Sequence, residues 1–258
     1  MSSILFRIEN NIAHITLNRP DKLNAFNREM SLLLQSLLDE CASLPEVRAV
    51  YLTGAGKGFS AGQDLAEVTD LAGPGMEKIL SEHYNPIVTR IRNLPKPIVA
   101  AVNGVAAGAG ANIALCCDVV VASQSASFIQ AFSRIGLIPD SGGTYFLPRL
   151  IGWQKASALS MLGDKVGAIE AERMGMLYKV FSDEEFPAAS LALAATLAKM
   201  PTRALAYTKQ ALNHSAGHSL EAQLLLEDEL QQKSAATPDY REGVAAFLEK
   251  RQPTFTGQ

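Results

Sequence analysis

Two short β-rich runs, Ile4 to Ile8 and Ala13 to Leu17, flank the turn pair Asn10-Asn11 and predict an opening hairpin. From Asn27 to Ser43 the apolar positions Met30, Leu33, Leu34, Leu37, Leu38 and Cys41 recur at helical spacing, which predicts a helix with one buried face. Ala49 to Thr53 reads as a strand, the glycine-broken Gly54 to Asp64 as a loop, and Gly75 to Asn93 as a helix kinked or broken at Pro86. Ile98 to Val102 and Asp118 to Ala122 read as buried strands, and between them Asn103 to Cys117 holds a glycine-rich turn feeding a short helix from about Ala109. A strand at Ser127 to Gln130 leads into a long loop around Pro139. After Gly142 the pattern is helical almost to the end, with Pro148, Pro201 and Pro238 as breaks. Strands alternating with helices imply an α/β fold, with a mixed core over residues 1–195 and a helical section over 196–258 packed on it or on a neighbouring subunit.

Composition narrows the function classes. The chain has 258 residues, with 23 Lys and Arg against 26 Asp and Glu and a net charge of −3, so no basic field marks it for nucleic acid. Between Lys96 and Asp118 no residue is charged, a length that could span a bilayer. Asn103, Gly104, Gly108, Gly110 and Asn112 interrupt it, so a buried strand, turn and helix are expected and no membrane partner. Cys41, Cys116 and Cys117 are odd in number and lack ligand spacing, which suits a reducing compartment. Met1 to Asn10 lacks the basic start and apolar run of a secretory signal, so the expected location is cytoplasmic.

Several motifs invite chemistry and each has a plainer reading. Gly54-Ala-Gly56-Lys57-Gly58 is too short for a phosphate loop, and neither it nor Gly108-Ala-Gly110 completes a dinucleotide fingerprint. Both offer approachable backbone N–H groups, suited to an oxyanion hole or required only by packing. Gly58-Phe-Ser60-Ala-Gly62 matches the serine-hydrolase elbow, yet the preceding strand ends near Thr53 and the serine is displaced into loop; the bases available downstream are His83, His214 and His218. His214 and His218 lack an adjacent carboxylate and read as surface or helix-end residues, and no metal is expected. Arg19 and Lys22 read as solvated cations. Asp140, in Ile138-Pro-Asp-Ser-Gly-Gly, caps a helix starting near Gly142 on the local reading and is a general base beside an apolar pocket on the functional one.

Together the segments Leu17-Asn-Arg-Pro, Gly58-Phe-Ser-Ala-Gly-Gln-Asp64, Asn103-Gly-Val-Ala-Ala-Gly-Ala-Gly110, Ile138-Pro-Asp-Ser-Gly-Gly-Thr144 and Arg241-Glu-Gly-Val-Ala-Ala-Phe-Leu-Glu-Lys250 resemble the crotonase, or enoyl-CoA hydratase/isomerase, superfamily over nearly the whole chain. The resemblance implies a crotonase-like ββα superhelix with a helical C-terminal trimerisation section, a homotrimer or dimer of trimers, and an acyl-CoA thioester whose carbonyl is held by the N–H groups of Gln63 and Ala109. No cofactor is implied, since coenzyme A belongs to the substrate. Lys22, Ala61, Asp64 and Leu65 would line the adenosine and pantetheine end, with Phe247 and Lys250 reaching it from a neighbouring subunit. The two glutamates of the family's hydratases fall on Asn112 and Phe132, which put substrate-lining groups but no base at the acyl end, whereas Asp140 matches members that isomerise double bonds with one acid. The runs Phe59 to Asp64, Tyr84-Asn85-Pro86, Phe132-Ser133, Gly136 to Asp140 and Asp239 to Gly243 are most similar to members acting on the ring epoxide of phenylacetyl-CoA. The expectation is therefore an acyl-CoA isomerase with Asp140, Gln63 and Ala109 catalytic, with an enoyl-CoA hydratase as companion. The alternatives are a hydratase of fatty-acid or aromatic degradation, or an inactive scaffold.

Overall fold

A computed structural model describes residues 2–70 and 73–258. The chain opens with the expected hairpin, β1 (Ile4–Glu9) and β2 (Ile12–Leu17), and its turn residues Asn10 and Asn11 both take positive φ, at 53° and 63°. Asparagine tolerates that conformation, which suits the twist of a two-residue hairpin. The next strands are β3 (Ala49–Gly54), β4 (Gly58–Ser60), β5 (Ile98–Val102), β6 (Val105–Ala107), β7 (Val119–Ser123), β8 (Ser127–Ile129), β9 (Lys165–Gly167) and β10 (Lys179–Phe181). They form two sheets, ordered β1-β2-β3-β5-β7-β10 and β4-β6-β8-β9. Strands β3, β5 and β7 each hand the chain to a short strand of the second sheet, so pairs of strands followed by helical segments climb as a spiral. Apart from the antiparallel β1–β2 and β8–β9 pairs the ladders are parallel.

Both faces of the larger sheet are covered. Ile15, Leu52, Ala100 and Val102 point to one side against the helix Arg28–Ser43, through Met30, Leu34, Leu38 and Cys41. Their neighbours Tyr51, Val99, Ala101 and Val121 point to the other and meet Phe186, Ala194 and Ala198 of the helix Phe186–Lys199. This is the period-two alternation of a strand buried on both faces. The uncharged run between Lys96 and Asp118 supplies β5, β6 and the buried helix Ala109–Leu115. No helix among the described residues is long and apolar enough to cross a membrane.

Four expectations need correction. The Gly54 to Asp64 segment contains β4, and the region after Gly142 contains β9 and β10; each is three residues long and exists through pairing with distant strands. Pro148 lies inside the helix Gly143–Ile151, which stops at Gly152 instead. The helix Phe186–Lys199, which packs on the sheet, spans residue 195, and the helix Thr202–Ser215 follows it. Pro86 does not break its helix: Gly75–Lys78, a π-helical Ile79–Tyr84 and Asn85–Asn93 run end to end. Proline cannot donate back to Glu82, and the carbonyl of Glu82 accepts from Gln35 Nε2 at 2.7 Å instead.

Candidate active site

The second sheet brings the two glycine clusters together. Phe26 and Gln63 form a parallel bridge, in which Phe26 N donates to Gly62 O at 2.7 Å and Asp64 N to Phe26 O at 2.8 Å. Strand alternation turns the Gln63 N–H away from Phe26. Gly62 has φ +89°, and a Cβ there would lie 2.8 Å from Ala107 O and 3.3 Å from Ala109 N, so this loop abuts the start of the helix Ala109–Leu115 and only glycine fits. Neither the Gln63 nor the Ala109 N–H has a hydrogen-bond partner among the described residues. The two amides therefore stay available on neighbouring loops.

The Gln63 side chain is pinned from both ends. Its Oε1 accepts from Tyr84 Oη at 2.8 Å and its Nε2 donates to Glu67 Oε2 at 2.8 Å, while Glu67 Oε1 accepts from Arg28 N at the start of its helix. Tyr84 is fully buried, packed edge-on to Phe26, and burial together with the negative charges of Asp140, Glu67 and Asp64 holds its phenol far above the usual range. Asp140 is tied to the helix Ala109–Leu115, since its backbone carbonyl accepts from Asn112 Nδ2 of that helix.

Asp140 is half-buried, and its carboxyl is raised to about 6 because burial disfavours the charged form more than the Ser141 hydrogen bond favours it. It does not cap the following helix. Gly142, in the left-handed region, takes the capping position without a side-chain bond; the Asp140 carboxylate accepts from Ser141 Oγ at 2.8 Å and its backbone carbonyl accepts from Gly143 N at 2.8 Å. Both ends of the Asn112 amide are engaged within the protein, Nδ2 donating to Asp140 O at 2.9 Å and Oδ1 accepting from Gln130 Nε2 at 2.8 Å. Phe132 is buried, its ring edge beside Gly108 just ahead of Ala109.

The remaining predicted residues lie at two places. Ala61, Asp64 and Leu65 follow β4, with Leu65 exposed, and Lys22 is exposed on the short turn Pro20–Lys22. Desolvation raises the Asp64 carboxyl, but the Arg19 ion pair at 2.8 Å, the Ala66 N–H and Lys22 outweigh it and leave it below the usual range. Asp64 also caps the helix Leu65–Thr69. Phe247 and Lys250 are exposed on and just after the C-terminal helix Pro238–Glu249. The rival motifs dissolve: Ser60 is fully buried with its hydroxyl donating to Asn24 O, His214 and His218 are exposed at a helix end, and no metal-binding cluster occurs among the described residues. Tyr84, Glu67, Gln130 and Ser141 were not singled out as site residues from sequence. Their contacts join segments remote along the chain, except Ser141, whose hydroxyl beside Asp140 could have been noticed.

A model of the enoyl-CoA hydratase/isomerase family matches residues 7–258. The 1,2-epoxyphenylacetyl-CoA isomerase of Escherichia coli (strain K12) is 46% identical over 261 residues, covering 100% of both chains. A protein of Rhodobacter capsulatus named as a probable enoyl-CoA hydratase is 46% identical over 256 residues, covering 99% of this chain and 98% of its own. The crystal structure of an enoyl-CoA hydratase from Bacillus anthracis superposes with a TM-score of 0.92 at 32% identity, covering 99% of this chain and 100% of that one. With its two-sheet spiral and these full-length matches, the chain belongs to the enoyl-CoA hydratase/isomerase family and has the crotonase fold.

Proposed function

We propose that the protein is an acyl-CoA isomerase that moves a double bond from the 3- to the 2-position of an enoyl-CoA and rearranges the ring 1,2-epoxide of phenylacetyl-CoA to the seven-membered oxepin. The observation that carries this reading is the pairing of one half-buried carboxyl, Asp140, raised to about 6, with an engaged amide at Asn112 and a phenyl ring at Phe132 where the hydratases of the family keep glutamates. The name of the Escherichia coli relative favours the ring-epoxide substrate.

In this reading the thioester oxygen sits between the N–H groups of Gln63 and Ala109. Asp140, ionised at neutral pH, takes a proton from C2; the electrons of that C–H bond become the enolate, whose oxygen charge the two donors hold, each worth about 3 kcal/mol. The enolate then collapses: a C2=C3 bond forms, the 3,4-double bond opens, and C4 receives the proton from the Asp140 carboxylic acid. No water is consumed and no cofactor is needed. For the epoxide the same donors and acid assist ring opening. Lys22, Ala61, Asp64 and Leu65 would line the nucleotide and pantetheine end of CoA, with Phe247 and Lys250 supplied by a neighbouring subunit of a homotrimer or dimer of trimers. A cytoplasmic setting and a companion enoyl-CoA hydratase complete the reading.

The name of the Rhodobacter capsulatus relative favours a second reading, hydration. Incubating the protein with 3-enoyl-CoA, crotonyl-CoA and the phenylacetyl ring epoxide, with products identified by mass and absorbance, separates the two. Clear isomerisation with weak or absent hydration is expected. Hydration of crotonyl-CoA at or above the isomerisation rate overturns the isomerase assignment.

A further inference from the structure

The turn that carries Asp140 is conformationally costly and is clamped from one side. Ser141 has φ +51° and Gly142 φ +77°, two successive residues in the left-handed region, and Ser141 pays a steric penalty there. The Asp140 carbonyl that precedes them accepts from Asn112 Nδ2 at 2.9 Å as well as from Gly143 N. Asn112 is 1% exposed, and a Cβ on Gly143 would lie 2.3 Å from Asn112 Nδ2, so the glycine lets the helix Gly143–Ile151 close directly onto the amide. A carbonyl only accepts, which fixes the Asn112 amide with nitrogen toward Asp140 and oxygen toward Gln130 Nε2 at 2.8 Å.

Gln130 supplies an independent observation. Its side chain is buried, and its Oε1 has no hydrogen-bond partner among the described residues. A buried acceptor left unpaired is destabilising, and what the glutamine returns for it is the Nε2 donor that the buried Asn112 Oδ1 accepts from.

We propose that Asn112 and Gln130 form a positioning pair that holds the Asp140 turn in its strained conformation and so aims the carboxylate at the acyl chain. The inference rests on the reading of Asp140 as the proton carrier. It assigns Asn112 a role that neither aspartate nor glutamate can fill, because an ionised carboxylate has no hydrogen to give the Asp140 carbonyl.

The test uses the full-length protein and 3-enoyl-CoA, followed as formation of the 2-enoyl thioester, with Gln130→Met and Asn112→Asp compared with wild type. Gln130→Met exchanges the unpaired Gln130 Oε1 for an unpaired Asn112 Oδ1, so it should fold about as stably as wild type while kcat falls about tenfold and KM stays within about twofold, as when a supporting shell is lost. Asn112→Asp places a carboxylate against the Asp140 carbonyl; it should cut kcat further and move the acid limb of the kcat profile upward. Tyr84, whose phenol the Asp140 charge helps to raise, is unchanged in both variants. A purely structural role would lower thermal stability without moving that limb. If wild type isomerises and folded Gln130→Met keeps kcat within twofold with an unmoved limb, the positioning role is overturned, whether or not Asn112→Asp folds. A wild type that does not isomerise overturns the proposed function and this inference with it.

Discussion

Ionising Asp140 inside the folded chain has an energetic cost that water would not impose. Because its carboxyl is raised from 3.8 to about 6, the folded state binds more protons than the unfolded chain between those values, and stability falls as pH rises through that window. For a fully dry group the loss would be roughly 3 kcal/mol; the part of the side chain that water reaches reduces it to about 1–2 kcal/mol. Asp140→Asn keeps the shape and has no proton to lose. It should raise Tm above wild type at pH 7 and match it near pH 4, while turnover falls by at least about a hundredfold. Thermal melts at the two pH values and a steady-state assay check both halves. Turnover within a few-fold of wild type would remove Asp140 as the proton carrier. In the unmodified protein, activity should decline as pH drops through about 6, because the base must be ionised to accept a proton.

The elements that are long and locally patterned were legible in the sequence. Met30 to Cys41 repeats at helical spacing whatever surrounds it, and Asn10-Asn11 marks its turn without tertiary help. Short strands such as β4, β9 and β10 were not, because three residues carry no periodicity and their pairing lies elsewhere in the chain. Local chemistry also misled at Asp140, a good capping residue by propensity, because Gly142 and Gly143 let the backbone begin the helix later and free the carboxylate for Ser141. Asp140 and the two glycine clusters were marked by their local chemistry and Gln63 and Ala109 as the donors by the family resemblance, whereas the Tyr84–Gln63–Glu67 chain joins separate elements and leaves no local signature. The Gly62 position tests this element-scale geometry. An alanine there would have to hold φ near +89° with its Cβ 2.8 Å from Ala107 O. Gly62→Ala should lower stability by about 1–2 kcal/mol and cut kcat/KM out of proportion, by displacing the Gln63 amide from its place beside Ala109. Unchanged kcat/KM would argue against the Gln63 N–H as an oxyanion donor.

At the scale of the molecule, the helices Thr202–Ser215, Leu220–Ala235 and Pro238–Glu249 enclose a groove of about 1080 Å³ whose walls include Tyr207, Leu224, Val244, Phe247 and Leu248. Phe247 is 83% and Leu248 75% exposed. Clustered apolar side chains of this kind mark a surface that another molecule covers, in line with the proposed neighbouring subunit. Deleting the chain after Thr237 should weaken CoA binding and assembly together. The same deletion also removes what ties the C-terminal tail down, since Arg48 of the core donates to Phe255 O and Asp239 of the C-terminal helix holds the tail by accepting from Thr256 N and Gly257 N. Phe247→Asp with Leu248→Asp leaves those tethers in place and alters only side chains that face water in the single chain, so the monomer fold should survive. Buried aromatic anchors dominate interface energies, so two carboxylates at this point should shift the protein to a smaller species by light scattering. If Phe247 also completes a neighbour's CoA site, KM for the acyl-CoA should rise by about tenfold or more in the same variant. An unchanged mass and a KM within twofold of wild type would take this helical face out of both roles.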